Sequence, residues 1–279
     1  MILVTGVNGQ LGYDVIKELN KRNIRNLGID KNELDITDTN AVNEYIIKLR
    51  PECVVHCAAY TAVDKAEVEE KICRKVNVDG TENIAKACKE IDAKMIYIST
   101  DYVFDGKGNK PFEVYGHIEP HSVYGKTKYE GELKVQEILE KYFIVRISWV
   151  FGINGNNFIK TMLRLGKEKE SINVVCDQIG SPTYTADLAP LLCDMAVSKK
   201  YGVYHATNEG FCSWAEFAEE IMKKACLDCR VNYIQSSEYN SVAIRPLNSR
   251  LSKRSLIENK FRLLPFWKDA LEVYLAKMK

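Results

Sequence analysis

In the stretch HSVYGKTKYEGE, residues 121–132, a tyrosine and a lysine stand four positions apart, Tyr124 and Lys128. Positions i and i+4 of a helix project from one face. A phenol, with a free pKa of about 10, is a poor acid near neutrality. An ammonium beside it favours the phenolate and so makes the phenol a better proton donor. The pair suits a proton-transfer step. The same spacing also falls on solvated helix faces, so the elements around it must decide.

A second stretch carries binding chemistry. Gly6-Val7-Asn8-Gly9-Gln10-Leu11-Gly12 follows an apolar run, Ile2–Thr5, and precedes a helical pattern with apolar residues at 11, 15, 16 and 19. The spacing is GxxGxxG rather than GxGxxG. A strand–glycine loop–helix order lets backbone N–H groups approach a pyrophosphate at a helix N-terminus. Asp30 ends the next apolar run, 18 residues after Gly12. A carboxylate there suits adenine-ribose hydroxyls and repels a 2′-phosphate, which favours NADH, while the adjacent Lys31 leaves NADPH open.

These groups need a scaffold, and the pattern supplies one. Short apolar runs at Ile2–Thr5, Leu27–Ile29, Cys53–Cys57, Lys94–Ile98 and Tyr142–Ser148 alternate with helical stretches at Leu11–Leu19, Ala41–Leu49, Ile72–Ile91 and 122–142. This order predicts an α/β fold, a doubly wound parallel Rossmann-type sheet. After about residue 150 the alternation loosens. Residues 1–150 read as a dinucleotide-binding domain, to which the chain returns near 185–208. Residues 151–279 read mainly as a smaller C-terminal substrate lobe, with a cleft between the two.

Composition narrows the partners. The chain has 279 residues, is 46% apolar and carries a net charge of +1, so neither nucleic acid nor a membrane surface is expected. No apolar run approaches a membrane span and no signal peptide is recognised. Nine cysteines, an odd number, read as reduced thiols in a cytoplasm. Cys226 and Cys229 form a CxxC without a second ligand pair, and His117 and His121 flank Glu119 in a loop. Neither is assigned a metal. His56, inside an apolar strand, reads as a packed histidine.

Nine motifs in order extend over nearly the whole chain. They are LDITD (34–38), CAAYTAVDKAE (57–67), NVDGT (77–81), STDYVFDG (99–106), VYGKTKYEGE (123–132), RISWVFG (146–152), GNNFIKTML (155–163), DQIGSPT (177–183) and RPLNSRL (245–251). With the glycine loop, they resemble the extended short-chain dehydrogenases/reductases, and within them the dTDP-4-dehydrorhamnose reductase family. The resemblance implies reduction of the C4 ketone of a nucleotide-linked sugar by NAD(P)H. It implies Thr100, Tyr124 and Lys128 as the catalytic set, with Ser99 as a rival to Thr100. Gly9, Gln10 and Leu11 would lie along the pyrophosphate and Asp35 and Ile36 at the adenine. Ala59, Tyr60 and Thr61 would follow the third strand beside the cofactor. Asp101 and Trp149 match substrate-contacting positions, and Arg245 suits the substrate's pyrophosphate or else a structural ion pair. Asp14 and Asp187 stand near positions where some members hold magnesium, as Asp rather than Glu; no metal site is assigned and Mg2+ stays open. A homodimer is one option for the assembly.

Two rivals remain. A 4-epimerase or 4,6-dehydratase of a sugar nucleotide shares the superfamily, but dehydratases carry Asp-Glu after the catalytic Thr, and here Tyr102 follows Asp101. A non-catalytic regulatory subunit that binds NAD(P) without turnover is the other.

Overall fold

The computed structural model describes residues 1–278. Its centre is a six-stranded sheet. Five strands are β1 (Ile2–Thr5), β2 (Asn26–Ile29), β3 (Cys53–His56), β4 (Lys94–Thr100) and β5 (Tyr142–Ile147). The sixth is Gly202–His205, and the order across the sheet is Gly202–His205, β5, β4, β3, β1, β2. Every neighbouring pair is parallel. All residues of β1 and β3 are buried. That is why they read as unbroken apolar runs rather than alternating ones.

Helices cover both faces. Helix α1 (Gln10–Lys21) buries Leu11, Val15 and Leu19, one stripe at helical spacing. It packs with Thr185–Val197 in one core layer with Val4, Val55 and Ile96 of the sheet. Thr39–Leu49, capped by Asp38 accepting from the Ala41 N–H at 3.0 Å, lies on the opposite face with Gly80–Glu90 and Val123–Ile138. Each fully buried Val, Ile or Leu in these layers contributes about 1.5–3 kcal/mol relative to exposure.

Three elements differ from the sequence pattern. The helix expected over Ile72–Ile91 spans Glu70–Glu90, but Lys75–Asp79 form a wider π turn within it. The helix expected over 122–142 is Val123–Ile138, capped by Ser122 accepting from the Gly125 N–H at 3.0 Å. Its chain then straightens into β5. Thr185–Val197 is helical although Pro190 stands inside it, and the sixth strand, Gly202–His205, follows it.

The remaining chain forms a third core around Phe151, Ile159, Phe217, Trp267 and Tyr274. Small sheets stiffen it, including a parallel pair of Ser171–Val175 with Arg230–Ile234. A three-stranded sheet joins Cys212–Ser213, Ile179–Gly180 and Asn248–Ser249. No helix among the described residues is long and apolar enough to cross a membrane.

Candidate active site

A cavity of about 770 Å³ opens at the carboxyl ends of the strands, where the strand order reverses between β1 and β3. Such switch points bind ligands in open parallel sheets. The glycine loop forms one wall. Gly6 has φ +70°, and a Cβ there would stand 2.8 Å from the Ala58 nitrogen. A Cβ on Gly12 would stand 2.4 Å from the Gly6 oxygen. The loop is therefore pressed against β3 and against its own helix, leaving the backbone of Gly9, Gln10 and Leu11 on the cavity wall. The first turn of α1 carries no acidic side chain to fill its N-terminus. A tight backbone cradle with free helix N–H groups fits a dinucleotide pyrophosphate.

Two predicted residues of the glycine loop serve as struts. The Gln10 carboxamide oxygen accepts from the Gly152 N–H at 2.8 Å and from Asn157 at 3.1 Å. Asn8 lies outside the lining, and its carbonyl accepts from the Asn154 carboxamide at 2.8 Å. Asp30 and Lys31 both line the cavity, and Asp30 accepts from the Asn32 N–H at 2.7 Å. Ile36 lines it as well, whereas Asp35 does not. The Asp35 carboxylate accepts from the Thr37 N–H and hydroxyl, which hold it below the usual carboxylate range.

Ala59, Tyr60 and Thr61 follow β3 along the next wall. The π turn explains their position. It carries Asn77, whose side chain accepts from the Tyr60 N–H at 2.8 Å and donates to the Tyr60 carbonyl at 3.1 Å. A wide turn inside a helix often marks such a site. Beneath it, His56 is packed: its ring nitrogens face the Thr5 hydroxyl at 2.8 Å and the Thr81 hydroxyl at 3.4 Å. Burial drives its pKa down to about 3, so the ring is neutral.

Thr100, Asp101, Tyr124 and Lys128 meet on the third wall. Thr100 ends β4, and its hydroxyl donates to Asp101 at 3.1 Å and accepts from the Tyr102 N–H at 3.2 Å. Asp101 is buried, and its second carboxylate oxygen has no partner in the structure. Burial raises its pKa to about 6, against the pull of the Ser249 and Thr100 hydroxyls. Ser99, the rival, points its hydroxyl into a Glu132 carboxylate at 2.5 Å. Both residues line the cavity, but the Ser99 hydroxyl is engaged by Glu132 whereas that of Thr100 lies beside Asp101.

The electrostatics of the pair differ from the sequence expectation. Burial pushes the Tyr124 phenol well above its ordinary value, and the Thr100 hydroxyl is the group that pulls it back. Burial lowers Lys128 to about 7, with Glu132 foremost among the groups that raise it. Its ammonium lies over the Tyr97 ring, 4.0 Å from the centroid. Desolvation is the largest influence on each of the two groups.

Trp149 lines the cavity with a backbone φ of +50°, and its indole stacks on Trp214 with centroids 3.8 Å apart. Trp214, which begins the helix Trp214–Lys224, also lines the cavity and is not among the predicted site residues. Ser213, with Glu216 three residues on, signals that start, but nothing local shows which way the indole faces. Arg245 does not line the cavity; it pairs with Asp64 at 2.6 Å. Its Nε is buried without a partner. Asp14 accepts from the Thr185 hydroxyl and Asp187 from Asn208 at 2.8 Å. Among the described residues no cluster of three or more His, Cys, Asp or Glu side chains is assembled for a metal.

A Rossmann-type sheet, a glycine cradle and a Tyr/Lys helix at one cavity define an extended short-chain dehydrogenase/reductase, an NAD(P)-dependent oxidoreductase class. Comparison with known proteins narrows this. Residues 1–279 match the family model described as RmlD substrate binding domain, and the chain belongs to that family. The spore coat polysaccharide biosynthesis protein SpsK of Bacillus subtilis is 38% identical, covering 99% of this chain and 97% of its own. The dTDP-4-dehydrorhamnose reductase of Aggregatibacter actinomycetemcomitans is 39% identical, covering 97% of each. The crystal structure of dTDP-4-dehydrorhamnose reductase from Bacillus anthracis in complex with NADP superposes with a TM-score of 0.96. It is 43% identical and covers 99% of this chain and 98% of that one.

Proposed function

We propose that the protein reduces the C4 ketone of dTDP-4-dehydro-L-rhamnose to the alcohol of dTDP-L-rhamnose. The observation that carries the reading is the meeting of Thr100, Asp101, Tyr124 and Lys128 on the wall of a glycine-cradled cavity. Relatives named dTDP-4-dehydrorhamnose reductase, at 39% and 37% identity over nearly the whole chain, support the substrate class.

A bound NADH or NADPH would supply the hydride. The residues do the rest. The Tyr124 hydroxyl gives its proton to the ketone oxygen as charge grows there. Its raised pKa keeps that proton in place across the neutral range. The Thr100 hydroxyl, turned from Asp101, donates to the same oxygen and orients it. Lys128 tunes the phenol and holds the nicotinamide ribose by hydrogen bonds. Its pKa of about 7 in the bare cavity leaves it sensitive to every charge nearby. The free oxygen of Asp101 and the paired indoles of Trp149 and Trp214 suit a sugar, one by a hydroxyl and the other by an apolar ring face. Arg245 takes the diphosphate by leaving Asp64. Asp30 favours NADH and Lys31 tolerates NADPH, and the NADP complex belongs to the Bacillus anthracis relative. In the same reading, residues 1–150 with the return near 185–208 hold the cofactor and 151–279 the sugar nucleotide.

The test is a coupled assay. A dehydratase and an epimerase convert dTDP-glucose in place to the 4-keto-L-sugar, and loss of NADH or NADPH is followed with this protein added. Steady oxidation is expected. Cofactor binding without oxidation of either cofactor refutes the reading and favours a non-catalytic role.

A further inference from the structure

The helix that carries Tyr124 and Lys128 continues one turn further to Glu132, at i+4 from the lysine. Glu132 is wholly buried, at 0% exposure. Its carboxylate accepts a bidentate pair from Arg146, Nε at 2.8 Å and Nη2 at 2.6 Å. It also accepts from the Ser99 hydroxyl at 2.5 Å. Ser99 and Arg146 are register partners on β4 and β5. One carboxylate thus ties three elements together: the helix bearing the proton donor, the strand end bearing Thr100, and the neighbouring strand. Arg146 is anchored in turn by donating to the Val114 carbonyl at 2.8 Å and by lying over the Phe104 ring.

A buried ion pair is a poor device for stability alone. Its desolvation cost is comparable to its attraction, and an apolar replacement of both partners is often neutral or better. This one stands one turn from a lysine that is itself buried and has no carboxylate bonded to it. Around Lys128 stand Glu132 on its own helix, Tyr97 on β4, His56 and Cys57 at the end of β3, and Cys73 on the Glu70–Arg74 helix, with the Arg146 cation bonded to Glu132. The histidine and the thiols are neutral, so Glu132 is the anion among these neighbours.

We infer that Glu132, held by Arg146 and Ser99, is a positioning residue that keeps the Lys128 ammonium protonated and the Tyr124 helix docked against Thr100. The inference rests on the reductase reading for its consequence in turnover, but its physical content can be read without substrate. The measurement is the titration of Lys128 by NMR of its labelled side chain in the full-length protein, assigned with Lys128→Met. In Glu132→Gln the lysine midpoint is expected to fall by about one pH unit, a tenfold change in its protonation constant. The alkaline limb of kcat/KM then moves down in pH by the same amount. A midpoint within about 0.3 units of the wild type, whatever the loss of melting temperature, overturns the inference. If the single variant does not fold, Glu132→Gln/Arg146→Met removes both buried charges together; the Arg146 cation opposes Glu132 at the lysine, so the midpoint is then expected to fall by less than in the single variant, and a rise overturns the inference. A missing turnover in the wild type would refute the reductase reading, whereas the lysine midpoint alone decides the role of Glu132.

Discussion

Tyr124 and Lys128 show how a site can invert the expectation drawn from free amino acids. In water an ammonium near a phenol favours its ionisation. Here the cavity raises the phenol and lowers the ammonium, because burial disfavours charge on both. Two predictions belong at this scale. Tyr124→Phe keeps the ring and its edge contact with Tyr102 but removes the proton; kcat in the coupled assay should fall by about 10²-fold or more. Lys128→Met should abolish turnover yet stabilise the ligand-free protein. The folded lysine sits near 7 and the unfolded one near 10.5, so the folded state is penalised as pH falls from 10.5 to 7 and carries the whole penalty below that. Removing the charge should raise the melting temperature at pH 7 by about 2 °C or more, read by calorimetry. A lower melting temperature would show that the lysine is solvated in the native protein.

At the scale of elements, the site depends on close approaches that only glycine permits. Gly12 stands against the Gly6 carbonyl, and Gly131 stands where a Cβ would meet the Tyr97 hydroxyl at 2.3 Å and the Asn77 carbonyl at 2.7 Å. Gly12→Ala should therefore push the loop off the cofactor path and weaken cofactor affinity roughly tenfold or more, about 1.4 kcal/mol, measured by fluorescence titration. An unchanged affinity would remove the loop from the cofactor site. The sheet strands and most helices are legible from periodicity, since strands buried on both faces read as apolar runs and α1 carries one clean stripe. The Val123–Ile138 helix is less so. It buries Thr127, Lys128, Gly131 and Glu132, a polar face turned inward, so hydropathy misplaces its ends. The π turn at Lys75–Asp79 leaves no mark in residue types, because its purpose is to aim Asn77 at Tyr60, 17 residues away.

Over the whole molecule, buried titratable groups set the response to pH. His56 is held near 3 and His205 well below its usual value, both by burial. The unfolded chain protonates them near 6.5, so it binds more protons and stability falls as pH drops below that value. Asp101, raised to about 6, works in the opposite sense between about 6 and 4, since the folded state holds the extra proton there. The two histidines outweigh Asp101 and Asp187, whose pKa burial also raises, and the melting temperature should decline from pH 7 to about pH 4.5. Asp101→Asn removes part of the compensation and should steepen that decline. A flat profile would mean that the histidines are solvated in the native state. Gln10 bonds to Gly152 and Asn157, and Asp64 to Arg245. Pairs so distant in sequence are invisible to any local pattern.

The sequence by itself determined the parallel sheet, the glycine loop at its first turn, and the Tyr124/Lys128 face of one helix. Each follows from side-chain periodicity or backbone freedom within about a dozen residues. Tertiary structure decided what those groups experience. It put Ser99 on Glu132 and Thr100 at the cavity, brought Trp214 onto Trp149, and paired Arg245 with Asp64. It also stripped water from Tyr124 and Lys128. The reason is that burial and partner choice are properties of the packed chain, and a pKa or an ion pair exists only once distant segments have met.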